Sequence, residues 1–184
     1  MRRVGSCVLN REKPLIFVVD DEEVIAVTIA AILRLNGYEA VHFTQSPEAL
    51  ETCRSAAPDL LISDVVMPVF SGAELALHIR ARHPQCRVLL FTGHWDAADA
   101  EIAPYQDALV YQMIEKPIHP QDLLRKVREM LATVPATPAT GQDRARLRTA
   151  ANMKETFAAV HAHLATTVGR KRSVRRRTAH NGLE

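Results

Sequence analysis

Short apolar runs alternate with longer amphipathic stretches along most of the chain. The run LIFVV at 15–19 is rich in β-branched and aromatic residues and ends in carboxylates, which is typical of a buried strand. The stretch at 23–35 is longer and lacks Gly and Pro, and Asn36 and Gly37 follow it as a stop signal, which indicates a helix. Because these two patterns recur four more times, we predict five consecutive strand–helix units.

The predicted order of elements defines the fold class. Strands are predicted at 15–19, 38–43, 59–64, 87–93 and within 108–117, and helices at 23–35, 46–56, 72–82, 97–103 and 119–132. Such alternation predicts an α/β protein with a (βα)5, doubly wound, five-stranded parallel sheet of the flavodoxin-like type. In a sheet of this kind, ligands bind outside the carboxyl ends of the strands.

Polar residues suited to chemistry stand at the ends of four predicted strands. Asp20 and Asp21 follow the first strand, Asp64 ends the third, Thr92 ends the fourth and Lys116 closes the fifth. Because the carboxyl ends of parallel strands share one edge of the sheet, these side chains are expected to converge. Crowded carboxylates repel each other and raise each other's pKa, so their clustering favours a site that holds a cation.

Charge divides the chain of 184 residues into an acidic body and a basic tail. Residues 1–132 carry 13 Lys and Arg against 18 Asp and Glu, whereas residues 133–184 carry 10 against 3. We predict an N-terminal extension at 1–13, one folded domain at 14–132, a linker at 133–142 and a helical or disordered basic tail at 143–184.

The tail is predicted to contain one helix at 143–168 and then a basic run, with six Lys and Arg between Arg170 and Arg177. Such a run is either a solubilising, disordered end or a contact for nucleic acid or another acidic surface. A single helix is too little for a helix-turn-helix domain, which needs at least two packed helices.

Nothing in the composition indicates export or membrane insertion. Cys7, Cys53 and Cys86 are odd in number and far apart, so they suggest free thiols in a reducing compartment. No run approaches the roughly 18 apolar residues of a membrane span, and the N-terminus has no signal-peptide pattern. We therefore expect a soluble, cytoplasmic protein with no membrane insertion.

Four segments resemble the receiver domain of two-component response regulators, as in the chemotaxis regulators. They are VVDDEE, ISDVVMPVFSG, LLFTG and EKP, each at the end of a predicted strand and in the order found in that family. Each segment alone is a weak signal, but the ordered set is specific. The resemblance covers about residues 14–132, which include all five strand–helix units.

The resemblance implies a role for each matched acid. Asp64 would accept a phosphoryl group and form an acyl phosphate. Mg²⁺ would be held by Asp21, by Asp20 partly through water, by Asp64 itself and by the backbone carbonyl of Val66, a set of hard oxygen ligands that suits this ion.

Two further residues would contact the phosphoryl group. The resemblance implies that Lys116 pairs with one phosphoryl oxygen as a point charge and that the Thr92 hydroxyl donates a hydrogen bond to another. It also implies a cis peptide bond between Lys116 and Pro117, since the trans preference at proline is small.

One departure from the family affects the expected switch. Many receivers have Tyr or Phe three residues before the lysine, where this chain has Met113, so the aromatic rotamer mechanism is in question. Tyr111 shares the strand face with Met113 and is either a partial substitute or an ordinary half-buried strand residue. Trp95 stands on the expected output side and is either a partner contact or a cover for the loop.

We therefore expect a response regulator that accepts a phosphoryl group on Asp64 and switches a protein-interaction surface. The donor would be a sensor histidine kinase or a histidine phosphotransfer protein, and the reader an output protein that the sequence does not identify. We expect no enzyme activity beyond self-catalysed aspartyl phosphorylation and dephosphorylation. The alternatives are a DNA-associated transcription regulator that uses the basic tail and a phosphorylation-independent scaffold, against which the complete set of strand-end residues argues.

Overall fold

The computed structural model describes residues 12–105, 109 and 111–132. Five strands and five helices alternate along this part of the chain, as the sequence predicts. In chain order they are β1 (Leu15–Val19), α1 (Glu23–Leu35), β2 (Glu39–Phe43), α2 (Ser46–Thr52), β3 (Leu60–Asp64), α3 (Gly72–Arg82), β4 (Arg87–Thr92), α4 (Trp95–Ile102), β5 (Gln112–Glu115) and α5 (Pro120–Ala132), with a single 3₁₀ turn at Ala103–Tyr105.

The five strands form one parallel sheet in the order β2-β1-β3-β4-β5. The chain therefore moves outward on one side of β1 and then on the other, which creates a switch point between β1 and β3. The predicted doubly wound, flavodoxin-like α/β fold is confirmed.

Each face of the sheet carries its own hydrophobic cluster. On β1, Ile16 and Val18 belong to a cluster that α1 and α5 complete, whereas Phe17 and Val19 belong to one that α2, α3 and α4 complete. Side chains alternate between the faces of a strand, so a strand covered on both faces has no polar position. All five residues of β1 are accordingly buried.

Helix α2 ends at Thr52, four residues before its predicted end. The Arg54 amide donates to the carbonyl of Glu51 and the Ser55 amide to that of Thr52, so the last turn tightens to i−3 bonds. The Ser55 hydroxyl also donates to the Thr52 carbonyl at 3.2 Å. Serine side chains that bond the local backbone in this way compete with helix propagation.

Helix α4 begins at Trp95, two residues before the predicted start, and β5 is confined to four residues of the predicted window. The predicted extension at 1–13, linker at 133–142 and helical or disordered basic tail at 143–184 lie outside the described residues, apart from residues 12 and 13. No helix in the described part of the chain has the length and apolar content needed to cross a bilayer.

Two of the three cysteines lie in the core as free thiols, Cys53 and Cys86. Burial raises the pKa of the Cys86 thiol to about 12 and also raises that of Cys53. Both side chains therefore pack as small apolar groups in the cluster under α2 and α3.

Gly72 stands where α3 passes against the end of β3. A Cβ added there would clash with the backbone carbonyl of Asp64 and lie 2.9 Å from the Ser63 hydroxyl oxygen. We predict that Gly72→Ala lowers the free energy of unfolding by about 2–3 kcal/mol, because backbone atoms must move to admit the methyl group. Urea denaturation measures this change. Gly93→Ala is the matched control, since a Cβ at Gly93 meets nothing within 4 Å, and equal losses for the two variants would contradict the prediction.

Candidate functional site

The strand register places Asp20 and Asp64 side by side. Val19 of β1 pairs with Ser63 of β3, so the next residue of each strand lies at the same carboxyl edge of the sheet. Asp20 is only 2 % exposed, and its Oδ1 accepts a hydrogen bond from the Glu22 amide at 3.0 Å. This local bond fixes the carboxylate at the turn into α1.

Lys116 reaches back over the edge of the sheet to both carboxylates. Its Nζ lies 2.6 Å from Asp20 Oδ2 and 2.9 Å from Asp64 Oδ2. The Lys116 amide donates to the Thr92 carbonyl at 2.7 Å, which anchors the lysine backbone on β4. Its peptide bond to Pro117 is cis, as expected. The sequence predicted that these groups meet, but not that the lysine bridges the two acids.

Asp21 completes an acidic cluster with Asp20 and Asp64. One carboxylate oxygen from each of the three lies within 4.8 Å of the others. Adjacent ligand oxygens of an octahedral Mg²⁺ are about 3 Å apart, so the three oxygens reach the spacing that this ion requires when they close by no more than about 2 Å. The donor set and its spacing therefore fit a hard divalent cation.

The environment of the cluster changes the pKa of two members in the same direction. Burial raises the pKa of Asp20, and the hydrogen bond and charge of Lys116 offset only part of that rise. For Lys116, burial lowers the pKa, but the hydrogen bonds to Asp20 and Asp64 outweigh it, and the net pKa is raised. The lysine therefore stays charged, which the two carboxylates require.

Thr92 is buried at the end of β4, and its hydroxyl is engaged with the following loop. Oγ1 donates to the His94 carbonyl at 2.9 Å and accepts from the His94 amide at 3.0 Å. The Ala98 amide donates to the same carbonyl, so this local turn also sets the early start of α4 at Trp95. A propensity-based prediction could not anticipate it, because the turn depends on the rotamer of one threonine.

The loop after Asp64 holds Val66 and an unusual backbone conformation. Val69 has φ of 76°, which is rare for a β-branched residue, and its side chain is exposed. The Val65 carbonyl accepts from the Gly72 amide at 2.9 Å and closes the loop onto α3. Val66 lies in this loop, two residues after Asp64.

The model of the response regulator receiver domain matches residues 16–128. The chain belongs to this family. Receiver domains are the phosphoryl-accepting signalling domains of two-component systems, and they bind Mg²⁺ at an acidic pocket and interact with histidine kinases, phosphotransfer proteins and output domains.

Two curated relatives illustrate how far the similarity extends. The DNA-binding transcriptional regulator NtrC of Escherichia coli K12 is 33 % identical over 106 residues, which cover 58 % of this chain and 22 % of NtrC. The transcriptional regulatory protein CreB of Escherichia coli K12 is 30 % identical over 123 residues, which cover 67 % of this chain and 53 % of CreB. The chain thus spans between about a fifth and about half of the length of these relatives.

Solved structures give the same picture of the fold. The Vibrio cholerae chemotaxis protein CheY4 superposes with a TM-score of 0.57 at 26 % identity, covering 64 % of this chain and 98 % of CheY4. A CheY-like receiver domain protein from Methanospirillum hungatei gives 0.58 at 26 % identity, covering 65 % of this chain and 94 % of that one.

The receiver's candidate switch residues surround one hydrophobic cluster. Met113 and Tyr111 are half-buried and pack against the same cluster on the α3–α4 side of the sheet. Tyr105 packs there too. No spacing signal marks Tyr105, because it lies in the 3₁₀ turn outside the strand pattern. Trp95, the first residue of α4, is 43 % exposed.

We predict that Lys116→Met lowers the free energy of unfolding by about 3 kcal/mol at neutral pH, because it leaves buried Asp20 ionised and unpaired. The pKa of Asp20 is already raised and rises further without the lysine. The loss should therefore shrink as the pH falls from neutral to acidic values at which this carboxyl is protonated in the folded state. Urea denaturation at both pH values measures it.

Lys13→Met is the control for this prediction, since it removes the same charge from an exposed position. It should change the free energy of unfolding by less than about 0.5 kcal/mol. A Lys116→Met penalty that grows on acidification would refute the assigned role of the ion contact.

Proposed function

We propose that Asp64 is the phosphoacceptor of this receiver and that Asp20, Asp21, Thr92 and Lys116 are its working partners. The observation that carries the proposal is the lysine nitrogen held 2.9 Å from the Asp64 carboxylate inside the acidic cluster. A carboxylate oxygen would attack the phosphorus of a phosphoryl donor, and the bond from phosphorus to the leaving group would break with its electron pair on that group. The product is an acyl phosphate on Asp64.

The proposed metal site uses Asp20, Asp21, Asp64 and the backbone carbonyl of Val66. Mg²⁺ bound there supplies positive charge that offsets the repulsion between the carboxylates and the incoming phosphate. Lys116 would exchange its contact with Asp64 for one with a phosphoryl oxygen. It keeps its charge throughout, as its raised pKa indicates.

Thr92 and the half-buried side chains behind it form the proposed switch. To reach a phosphoryl oxygen, the Thr92 hydroxyl must leave the His94 carbonyl, and that movement changes the turn that starts α4. Met113 and Tyr111 would repack against the same cluster. The surface that carries Trp95 would then change for an output protein, as a population shift between two states.

A sensor histidine kinase or a histidine phosphotransfer protein is the proposed donor, in a cytoplasmic setting. The supporting argument is family membership, since such proteins are the partners with which receiver domains interact. The domain would itself catalyse only the transfer to Asp64 and the later hydrolysis. A phosphorylation-independent scaffold is the competing reading, and it predicts no transfer at all.

We predict that the protein gains one phosphate when it is incubated with acetyl phosphate and Mg²⁺, and that Asp64→Asn gains none. Intact-mass spectrometry measures the gain. Asp99→Asn is the matched control, since Asp99 is exposed on α4, and it should react like the wild type.

The same assay tests the metal site. EDTA should abolish the gain of phosphate, and Asp21→Asn should slow the gain relative to Glu23→Gln, because only Asp21 belongs to the acidic cluster. A gain on Asp64→Asn equal to the wild type would remove Asp64 from its role, and no gain on any protein would favour the scaffold.

DNA association through the basic run is the second candidate function. Its supporting observations are the six Lys and Arg between Arg170 and Arg177 and the word DNA-binding in the names of relatives such as NtrC. We predict that replacing Arg175, Arg176 and Arg177 by alanine lowers the slope of log affinity against log salt by about 3, at roughly 0.9 per phosphate contact. Gel-shift titrations measure the slope. The control replaces Arg144, Arg146 and Arg148, and equal slopes for all three proteins would reject DNA contact by the basic run.

A further inference from the structure

The loop between β3 and α3, residues 65–71, contains a strained residue a few positions after Asp64. Val69 in this loop has φ of 76°. Positive φ is disfavoured for a β-branched residue, because its side chain crowds the backbone there. Val69 is also 59 % exposed, so packing of its own side chain does little to offset the strain. Contacts elsewhere in the loop must therefore hold this conformation.

Two residues anchor the loop to the rest of the domain. At its start, the Val65 amide donates to the Phe91 carbonyl of β4, and the Val65 carbonyl accepts from the Gly72 amide, both at 2.9 Å. Near its end, Phe70 is buried, and its amide donates to the Pro68 carbonyl at 3.0 Å. Val65 and Phe70 are thus the anchors on either side of the strained position.

The Phe70 side chain is fixed by packing in the hydrophobic cluster under α2 and α3. Its ring lies 5.8 Å from the His78 ring, between centroids, at an angle of 57°. Burial lowers the pKa of His78, so the imidazole stays neutral and packs as an aromatic group. The Phe70 carbonyl lies in the same buried region and requires a hydrogen-bond donor.

The hydroxyl of Ser46 is that donor. Its Oγ donates to the Phe70 carbonyl at 3.0 Å, and Ser46 is only 1 % exposed. Ser46 does not cap its own helix, because it is the first residue of α2 and the N-cap is Gln45. Helix α3 does not use the Phe70 carbonyl either, since its first bond goes to the carbonyl of Ser71. The Ser46 hydroxyl therefore joins α2 to the loop.

The same loop carries Val66, whose backbone carbonyl is part of the proposed metal site. The direction of a backbone carbonyl is set by the dihedral angles of the residues around it. If the bond between Ser46 and Phe70 is lost, the strain at Val69 can relax, and the Val66 carbonyl turns with the loop. Residues that orient a metal ligand in this way alter metal affinity without contacting the ion.

We propose that Ser46 is a positioning residue for the metal site. Its hydroxyl holds the Phe70 carbonyl, keeps the loop in the strained conformation and thereby directs the Val66 carbonyl toward the ion. This inference rests on the proposed function, because it requires Val66 to be a metal ligand. It assigns control of Mg²⁺ affinity to a residue of α2 that takes no part in the phosphoryl transfer.

The test is a titration of the isotopically labelled full chain with Mg²⁺, followed through the amide resonances of the acidic cluster. Ser46→Ala should raise the dissociation constant for Mg²⁺ about tenfold, at the lower end of the effects of residues that orient metal ligands. Ser46→Cys keeps a weaker donor and should give a smaller rise. Ser55→Ala is the matched control, because it removes a similar hydroxyl bond at the other end of α2, and it should leave the dissociation constant unchanged.

A second substitution separates positioning from general stability. Asn adopts positive φ more readily than Val, so Val69→Asn relieves the strain that the Ser46 bond opposes. Val69→Asn alone should bind Mg²⁺ like the wild type. The double variant Ser46→Ala/Val69→Asn should recover most of the tenfold loss. At saturating Mg²⁺, Ser46→Ala should gain phosphate from acetyl phosphate at the wild-type rate, since only the metal affinity has changed.

The inference is overturned if Ser46→Ala binds Mg²⁺ as tightly as the wild type, or if Val69→Asn does not restore the affinity. It is also overturned if Ser46→Ala remains slow at saturating Mg²⁺. A wild type whose acidic-cluster resonances do not respond to Mg²⁺ would instead reject the proposed metal site, and the inference with it. The wild-type titration therefore separates a failure of the proposed function from a failure of the role of Ser46.

Discussion

The edge of the sheet is organised by one lysine nitrogen held between two carboxylates. Asp20 and Asp64 are brought together by strand register, and their mutual repulsion opposes that placement at every pH where both are ionised. Lys116 compensates for it in the structure described here, and a divalent cation would share the task when bound. Three chain segments far apart in sequence thereby depend on a single charge balance.

The same lysine belongs to two surfaces, so a change at one surface can affect the other. Its head group contacts the acidic cluster, and it also lines an apolar groove beside α1, together with Val24, Thr28, Ile118 and Leu123. A molecule that binds one of these surfaces more tightly in the phosphorylated state than in the free state favours phosphorylation. By linkage, phosphorylation raises the affinity for that molecule by the same factor. The short path between the two surfaces requires no long-range rearrangement.

Much of this arrangement is predictable from sequence because it follows from hydrophobic pattern. The bounds of α1 and α3 are predicted to the residue, since periodicity and the residues that flank both helices agree. The convergence of Asp20, Asp64, Thr92 and Lys116 follows from parallel topology alone. The early end of α2 and the early start of α4 are not predictable in the same way, because hydroxyl side chains of single residues decide them.

The conformations of individual side chains at the site could not be predicted from the sequence. Composition and spacing place Lys116 at the right edge, but its bridge to Asp20 depends on how a flexible four-carbon stem crosses the sheet. The groove beside α1 likewise depends on the spacing of two helices that sequence patterns treat independently. Tyr105 lies in a turn outside any periodic element, so its place beside Met113 emerges only from packing.

The buried cysteines have a consequence of a different kind. Oxidants attack thiolates, and Cys53 and Cys86 are sealed in the core with a raised pKa, that of Cys86 reaching about 12. Peroxide or a shift in the glutathione balance therefore has no access to these sulfurs while the domain is folded. At these two positions, the redox state of the surroundings cannot become a second input to the signal.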